Sequence, residues 1–405
     1  PRLAIHLASR VVESAPAGGL LFYHARNTNP ASGDRGILVA SEQGAIRRRP
    51  VPPMQRVGQC RPMKRFDISS TERIDKSLQL LGIRRFALAV HDASFPSTPE
   101  EDIGRGSPYG RAGLKFLQFA RSLGFNALQL GPQGKTSRND PSPYNGCIFS
   151  RNILSLAALT LGNDDRLKGV FFKSDLEQLS DRWKHRRSET QADHADHAMA
   201  WEVSHSLLDL VYSRFRVLRQ TASDAAAEFE RFIAAQKAAG VNWFERDCVY
   251  EALTLASGAD DWQLWGEGAA GATPLDRRLY CPNPGEEEAC RRRVSEILRN
   301  NADAVERFAF GQFLLHLQHE RMREETRKLG LLVYGDMHIG CSHQDWWAWR
   351  SLFLGTYLLG APPSRTNPEG QPWGYPVFDP RKIRAVGPRG EPAPRYRHRD
   401  VADRV

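Results

Sequence analysis

Residues 84–91 read RRFALAVH and residues 125–132 read FNALQLGP. Each is a short apolar run of the kind buried on both faces of a parallel sheet. Between them, PYGRAGLKFLQFARSL at 108–123 places Leu114, Leu117, Phe119 and Leu123 at helical spacing and stops at Gly124. Strand, crossover helix and strand make a βαβ unit, whose two strands must run parallel. The fold class is therefore α/β.

Outward from this unit the same rhythm continues. A helix is expected from Ser69, with Ser70 or Thr71 as N-cap, Ile74, Leu78, Leu80 and Leu81 on one face, and Gly82 as its end. Residues 303–329 make a long helix closed by Gly330, and LLVYGD at 331–336 is a third strand. Residues 170–300 interrupt with charged, mostly helical sequence, clearest over 200–240 and 286–300, and read as an inserted helical subdomain. No internal repeat or phosphate-binding glycine loop is evident, and GRGSPYG at 104–110 is a lone glycine cluster.

The chain of 405 residues, 41% hydrophobic and 9% aromatic, is long enough for one large domain or two modest ones. No run of eighteen apolar residues exists, and GGLLFY at 18–23 is too short for a secretory signal, so a cytoplasmic protein without membrane attachment is expected. Six scattered cysteines without a C-x-x-C pair indicate neither a zinc knuckle nor a disulfide framework. The net charge of +9 is unevenly placed: residues 1–62 carry nine Arg against three acids, residues 381–405 eight Arg/Lys against three, and residues 63–380 are left at −2. The basicity belongs to the ends, which speaks against a nucleic-acid-binding body.

Residues 1–62 show no sustained period and contain RRRPVPP at 47–53, so they read as a disordered leader, Met63 being the more natural start. The expected organisation is a first βαβ part over 63–169, the insertion over 170–300, a third strand and a substrate loop over 301–380, and a basic Arg/Pro-rich tail over 381–405.

In parallel β/α barrels the residues following each strand build the site. Here those segments are HDASFPS at 91–97, GPQGKTSRNDPSPYNGCIFS at 131–150 and GDMHIG at 335–340. Ser, Asn, Asp and Tyr supply directional hydrogen bonds and flat apolar faces, which suits a polyhydroxylated ring. A further stretch, GAPPSRTNPEGQPWGYPVFDP at 360–380, is too rich in proline and glycine for a helix and reads as a loop. In it Trp373 and Tyr375 read as stacking platforms and Gln371 as donor and acceptor; the alternative has Trp373 and Phe378 plugging the barrel end. The substrate-binding candidates are His91, Ser142, Tyr144, Asp336, Gln371 and Trp373, with no metal and no cofactor called for.

Other clusters have plainer readings. His194, His197 and His205 in DHADHAMAWEVSH suggest a polar turn ahead of a metal site, and His338, Cys341 and His343 lack fixed ligand spacing. GADDWQLWGEG at 258–268 reads as a helix cap with core tryptophans, and QDWWAWR at 344–350 as a helix burying Trp346 and Trp349.

In order, H-x-x-S-F-P-S at 91–97, S-P-Y-N at 142–145 followed by S-x-N, W-F-E-R-D at 243–247, F-G-Q-F at 310–313, G-D-M at 335–337, and A-P-P then G-Q-P-W-G-Y-P-V-F up to 378 resemble the signatures of 4-α-glucanotransferases. This is the amylomaltase or disproportionating-enzyme group, glycoside hydrolase family 77, and the resemblance runs over residues 84–380. It implies a (β/α)8 TIM barrel, here its first strands, with helical insertions, and retaining transfer of an α-1,4-glucan or maltooligosaccharide segment to a 4-hydroxyl. It also implies that Tyr144 stacks in the sugar cleft, that Asp336 supports it, and that Gln371 and Trp373 lie on a mobile covering loop. The chain departs from the family pattern at His338 and at Ser364 and Arg365. The family nucleophile, acid/base and third carboxylate are expected beyond Val405, so no catalytic residue is assigned, and a C-terminally truncated chain of doubtful activity is the expectation. Two rivals follow: a non-catalytic α-glucan-binding remnant, and a nucleic-acid-binding protein using its Arg-rich ends. The oligomeric state is open.

Overall fold

The computed structural model describes residues 21–24 and 68–396, except 173, 176, 180, 182–193, 222, 240, 267–270, 337–339 and 387–391. A four-stranded parallel sheet organises it, in the order β1 (Leu21–His24), β2 (Phe86–Val90), β3 (Ala127–Leu130) and β4 (Leu332–Tyr334). The registers run Leu21↔Phe86, Ala87↔Ala127 and Ala127↔Leu332 onward, so neighbouring strands end at nearly the same level. The expected strands are thus present and parallel. β1 is a difference: four residues within 1–62 pair with β2, where the sequence alone carries too short a run to declare a period. The rest of 1–62 lies outside the described residues.

Helix α1 (Ile68–Leu80) precedes β2, and α2 (Arg111–Ser122) fills the β2–β3 crossover. Gly124, at φ +88°, turns the chain from α2 into β3, and its missing Cβ leaves room for Ile74 of α1. Between β3 and β4 come α3 (His197–Arg219), α4 (Asp224–Ala238), α5 (Trp243–Ser257), α6 (Glu287–Asn300) and α7 (Ala302–Lys328). Three have well-formed caps: Asp196 accepts from the Met199 amide at 2.9 Å, Ser223 from that of Ala226 at 3.4 Å, and Gly258 closes α5 at φ +69°.

α7 is apolar nearly all round in its middle because it is central rather than amphipathic. Phe308 to Leu315 are buried without a break. Phe310 stacks on Phe215 of α3 with ring centroids 4.3 Å apart, and Phe313 meets Phe229 and Phe232 of α4. The same core includes Leu128 and Leu130 of β3, so α3 and α4 of the insertion share one apolar interior with the sheet. Each such side chain contributes roughly 1.5–3 kcal/mol by leaving water.

A second core lies on the far side of α5, where Val249, Tyr250 and Leu253 meet Trp262, Trp265 and residues of α6. Asp261 caps the turn Trp262–Leu264, accepting from the Gln263 amide at 2.9 Å, in line with the cap-and-core reading. Helix α8 (His343–Ala348) also packs here. Its buried tryptophan is Trp347, whose Nε1 donates to the Asp276 carbonyl at 2.7 Å, while Trp346 and Trp349 are half-buried. This corrects the expectation for 344–350: a six-residue helix inserts a single fully buried wedge, and its flanking rings pack only partly against the cores.

The stretch after α8 also differs from expectation. β5 (Phe353–Ala361) and β6 (Gln371–Phe378) form an antiparallel hairpin, so half of the supposed loop is strand. Its prolines fit because a two-stranded ribbon has free edges, and two register shifts absorb the irregularity. A small pair, β7 (Arg384–Val386) with β8 (Pro392–Tyr396), follows in the basic tail. Among the described residues no helix is long and apolar enough to cross a membrane. Cys147, Cys248, Cys281, Cys290 and Cys341 are free thiols.

Candidate active site

β2 and β3 end side by side, and the Gly131 amide donates to the Val90 carbonyl at 3.1 Å. One residue past β2, the His91 imidazole lies across Gly131, where any Cβ would overlap the ring. Glycine at 131 therefore lets a strand-end histidine turn to the mouth of the sheet. The next residue, Asp92, is buried. Its carboxylate accepts from Ser155 Oγ at 2.8 Å and twice from Gln133 Nε2 at 3.1 Å. Burial raises its pKa against the opposing pull of Arg105, Ser155 and Gln133. Asp92 is thus committed inside the fold.

The long loop from β3 brings Tyr144 to His91. Pro143–Asn145 form one tight turn, entered at Ser142, whose amide is held by Asp140 Oδ1 at 2.9 Å. Tyr144 Oη lies 3.5 Å from His91 Nε2, with the rings edge to face at 5.7 Å and 77°. The tyrosine remains 39% exposed, a platform whose open face is free to meet a ligand. Its hydroxyl pKa is raised, first by partial burial and then by the negative charge of Asp336. That charge comes from the segment after β4. His91, Tyr144 and Asp336 thus gather from the carboxyl ends of three adjacent strands.

The hairpin reaches the same place. Tyr375 Oη donates to Asn145 Oδ1, and the Tyr375 ring lies against Gly340, where a Cβ would press on both that ring and the Tyr144 carbonyl. Gln371, Trp373 and Tyr375 follow one another at two-residue steps along β6, across a register shift where Gly374 has φ +76°. Trp373 donates from Nε1 to Gln371 Oε1 at 3.2 Å, and its ring centroid is 6.5 Å from that of Tyr375. With 43% of its surface exposed, Trp373 plugs nothing in this structure. Phe378 instead closes the hairpin base by stacking on Phe353 at 4.6 Å.

Of the six sequence candidates, the structure sets Tyr144 against His91, places Asp336 just past the neighbouring strand β4 within electrostatic range of Tyr144, and puts Ser142 at the start of the Tyr144 turn. Gln371 and Trp373 join them only through Tyr375 and Asn145. Asn145 was not among the candidates, although S-P-Y-N contains it; nothing local announces a partner 230 residues away. Two flat aromatic faces, an imidazole, a carboxylate and two carboxamides can sandwich and hydrogen-bond a hydroxylated ring. Among the described residues no group of three His, Cys, Asp or Glu side chains is arranged to hold a metal ion. His197 and His205 lie on α3, facing the Ser137 carbonyl and Arg307. His338 lies outside the described residues.

A parallel sheet whose strand-end loops converge on an aromatic, hydrogen-bonding surface defines a β/α protein. The family model described as 4-alpha-glucanotransferase, of glycoside hydrolase family 77, matches residues 90–387, and the chain belongs to that family. Similar relatives include the chloroplastic/amyloplastic 4-alpha-glucanotransferase of Solanum tuberosum, 25% identical over 73% of this chain and 46% of its own length. The 4-alpha-glucanotransferase of Thermus thermophilus is 26% identical over 73% of this chain and 52% of its own. The chain spans about half the length of the curated relatives it matches. Among solved structures, the amylomaltase from Streptococcus agalactiae in complex with acarbose matches with TM-score 0.57 and 21% identity, over 73% of this chain and 53% of that one. That likeness concerns the fold.

Proposed function

We propose that this chain carries the glucan-binding part of a 4-α-glucanotransferase, acting in transfer of α-1,4-glucan or maltooligosaccharide segments to a 4-hydroxyl. The observation that carries this reading is the contact of Tyr144 with His91 at adjacent strand ends, with Asp336 following the next strand, in a chain of the 4-alpha-glucanotransferase family. In this reading the sheet is the first part of a (β/α)8 barrel. Tyr144 stacks against one glucose unit, while His91, Ser142 and Asp336 bond its hydroxyls. Gln371 and Trp373 cover the neighbouring unit from the hairpin.

Retaining transfer needs two carboxyl groups about 5 Å apart, one as nucleophile and one as acid and base. We assign neither to the described strand ends. Asp92 is buried and bonded to Ser155 and Gln133, and Asp336 serves the cleft as a charge beside Tyr144. The expected outcome with maltotriose is therefore binding by the isolated chain without release of glucose and longer oligomers. Robust disproportionation would overturn the assignment of the carboxylates, and absence of any maltooligosaccharide binding would overturn the glucan reading itself.

A further inference from the structure

The loop bearing Ser142, Tyr144 and Asn145 leaves β3 at Gly131 and returns at Asn152. Backbone bonds close its base: the Lys135 amide donates to the Ser150 carbonyl at 2.7 Å, the Cys147 amide to that of Lys135 at 2.9 Å, and the Asn152 amide to that of Gln133 at 3.0 Å. Beneath this base lie charges. Lys135 Nζ donates to Glu251 Oε2 at 2.5 Å and to Gln344 Oε1 at 3.3 Å. Ser150 Oγ donates to Asp247 Oδ2. Asp345 Oδ2 accepts from the Ile148 amide at 3.0 Å and from Ser342 Oγ at 2.6 Å. Asp247 and Asp345 are fully buried and Glu251 nearly so. Asp247 and Glu251 stand four residues apart, on one face of α5.

We propose that Asp247, Glu251 and Asp345 are positioning residues for the cleft: by holding the loop base they fix how far Tyr144 and Asn145 reach toward His91, Asp336 and Tyr375. The proposal rests on the glucan-binding reading of that cleft. It also gives the W-F-E-R-D motif, which ends at Asp247, a task.

The charges beneath the loop do not balance. Of the three carboxylates Lys135 touches Glu251 alone; it acts on Asp247 from further off, as Arg307 of α7 does on Glu251. Burial keeps the nearby thiols of Cys147, Cys248 and Cys341 and the Tyr250 hydroxyl protonated. It also holds His205 of α3 neutral, with its pKa down at about 4. Burial alone would raise Glu251, but Lys135 outweighs it and keeps that carboxylate ionised. Asp247 is pushed up to about 6, chiefly by burial, and Asp345 up to about 7 by burial and then by the charge of Asp247.

For both aspartates the folded pKa is raised, so the stability they contribute is complete below their unfolded value of about 4 and is lost as pH rises through about 6 to 7. Above that range two unneutralised charges share a dry site, and opening the loop base to water relieves them. Glu251 has the opposite sign, losing its contribution only on acidification below about 4, outside the interval tested here. His205 has a lowered pKa, so its contribution is lost as pH falls below about 6.5, and it does so equally in an Asp345 variant.

The test is maltoheptaose affinity by calorimetry at pH 5.5 and 8 for the chain and for Asp345→Asn, together with ligand-free amide exchange of residues 144–148, expressed as protection factors. The unaltered chain is expected to lose affinity by on the order of fivefold between the two pH values, with protection falling in parallel. Asp345→Asn should hold both within about twofold. A variant that keeps the parent's pH profile overturns the proposal. If the parent binds no maltoheptaose at either pH, the glucan reading fails, and the exchange comparison still decides the positioning claim. Should Asp345→Asn fail to fold, Ser150→Ala serves: it removes a hydrogen bond that favours ionised Asp247, so the protection loss should move to higher pH. An unmoved midpoint overturns the proposal.

Discussion

The loop from β3 and the hairpin of β5 and β6 deliver aromatic side chains to one cleft, yet they are held by opposite means. The loop base is locked over buried charges that α5 and α8 supply. The hairpin is held at its root by the Phe353–Phe378 stack and at its middle by the Tyr375–Asn145 hydrogen bond. Tyr357, Leu358 and Trp373 stand out into solvent along it. Few buried contacts mean a low local opening free energy. The comparison teaches that one wall is tied into the core, while the other rests on an aromatic stack at its root and one hydrogen bond at its middle.

The sharpest way to break this contrast is to attack the loop's charges. Lys135→Met removes the cation and leaves Glu251 buried and unpaired, which costs roughly 3–5 kcal/mol. Urea unfolding should show that loss as a lower midpoint. Adding Glu251→Leu should restore much of it, because paired removal of a buried ion pair is often close to neutral. A Lys135→Met chain as stable as its parent would mean that the loop base is no more rigid than the hairpin.

Tyr375→Phe probes the other wall at smaller cost. It keeps the ring against Gly340 and deletes the hydroxyl bonded to Asn145, a bond worth about 1 kcal/mol net. Global unfolding should barely move, while amide exchange over 353–378 should rise several-fold. Faster exchange over 131–152 as well would show the loop leaning on the hairpin, and the two walls would then be one unit.

The same contrast explains what the sequence disclosed. β2, β3, β4 and α7 were legible because apolar runs and glycine stops are local signals. His91, Tyr144 and Asp336 were legible because strand ends of a parallel sheet converge. The hairpin was hidden by Pro372 and Pro376, which argue against strand everywhere except on an open ribbon. β1 was too short to show a period. Asp247, Glu251 and Asp345 were missed for another reason: an acid in a helix reads as a solvent face unless its partners are known, and Lys135 and Ile148 lie about a hundred residues or more away in the chain. The spacing of Asp247 and Glu251 among apolar neighbours was the available clue, since four residues set both on one helical face.

The smallest expected effect on the fold is also the most direct on function. Trp373 is half-exposed, bonded to Gln371 two residues away, and its nearest aromatic neighbour is Tyr375 on the same strand. Trp373→Ala should therefore shift stability by no more than about 0.5 kcal/mol, as surface substitutions do. Stacking of a sugar on the indole is worth on the order of 1 kcal/mol, by analogy with aromatic pairs, so maltoheptaose affinity should fall roughly fivefold. Calorimetry of that variant beside Tyr144→Ala separates the two walls. If the hairpin is a movable cover, Trp373→Ala weakens binding chiefly through faster release, whereas Tyr144→Ala, on the fixed wall, should weaken it further. Equal losses with unchanged release rates would mean that both aromatics belong to one rigid surface.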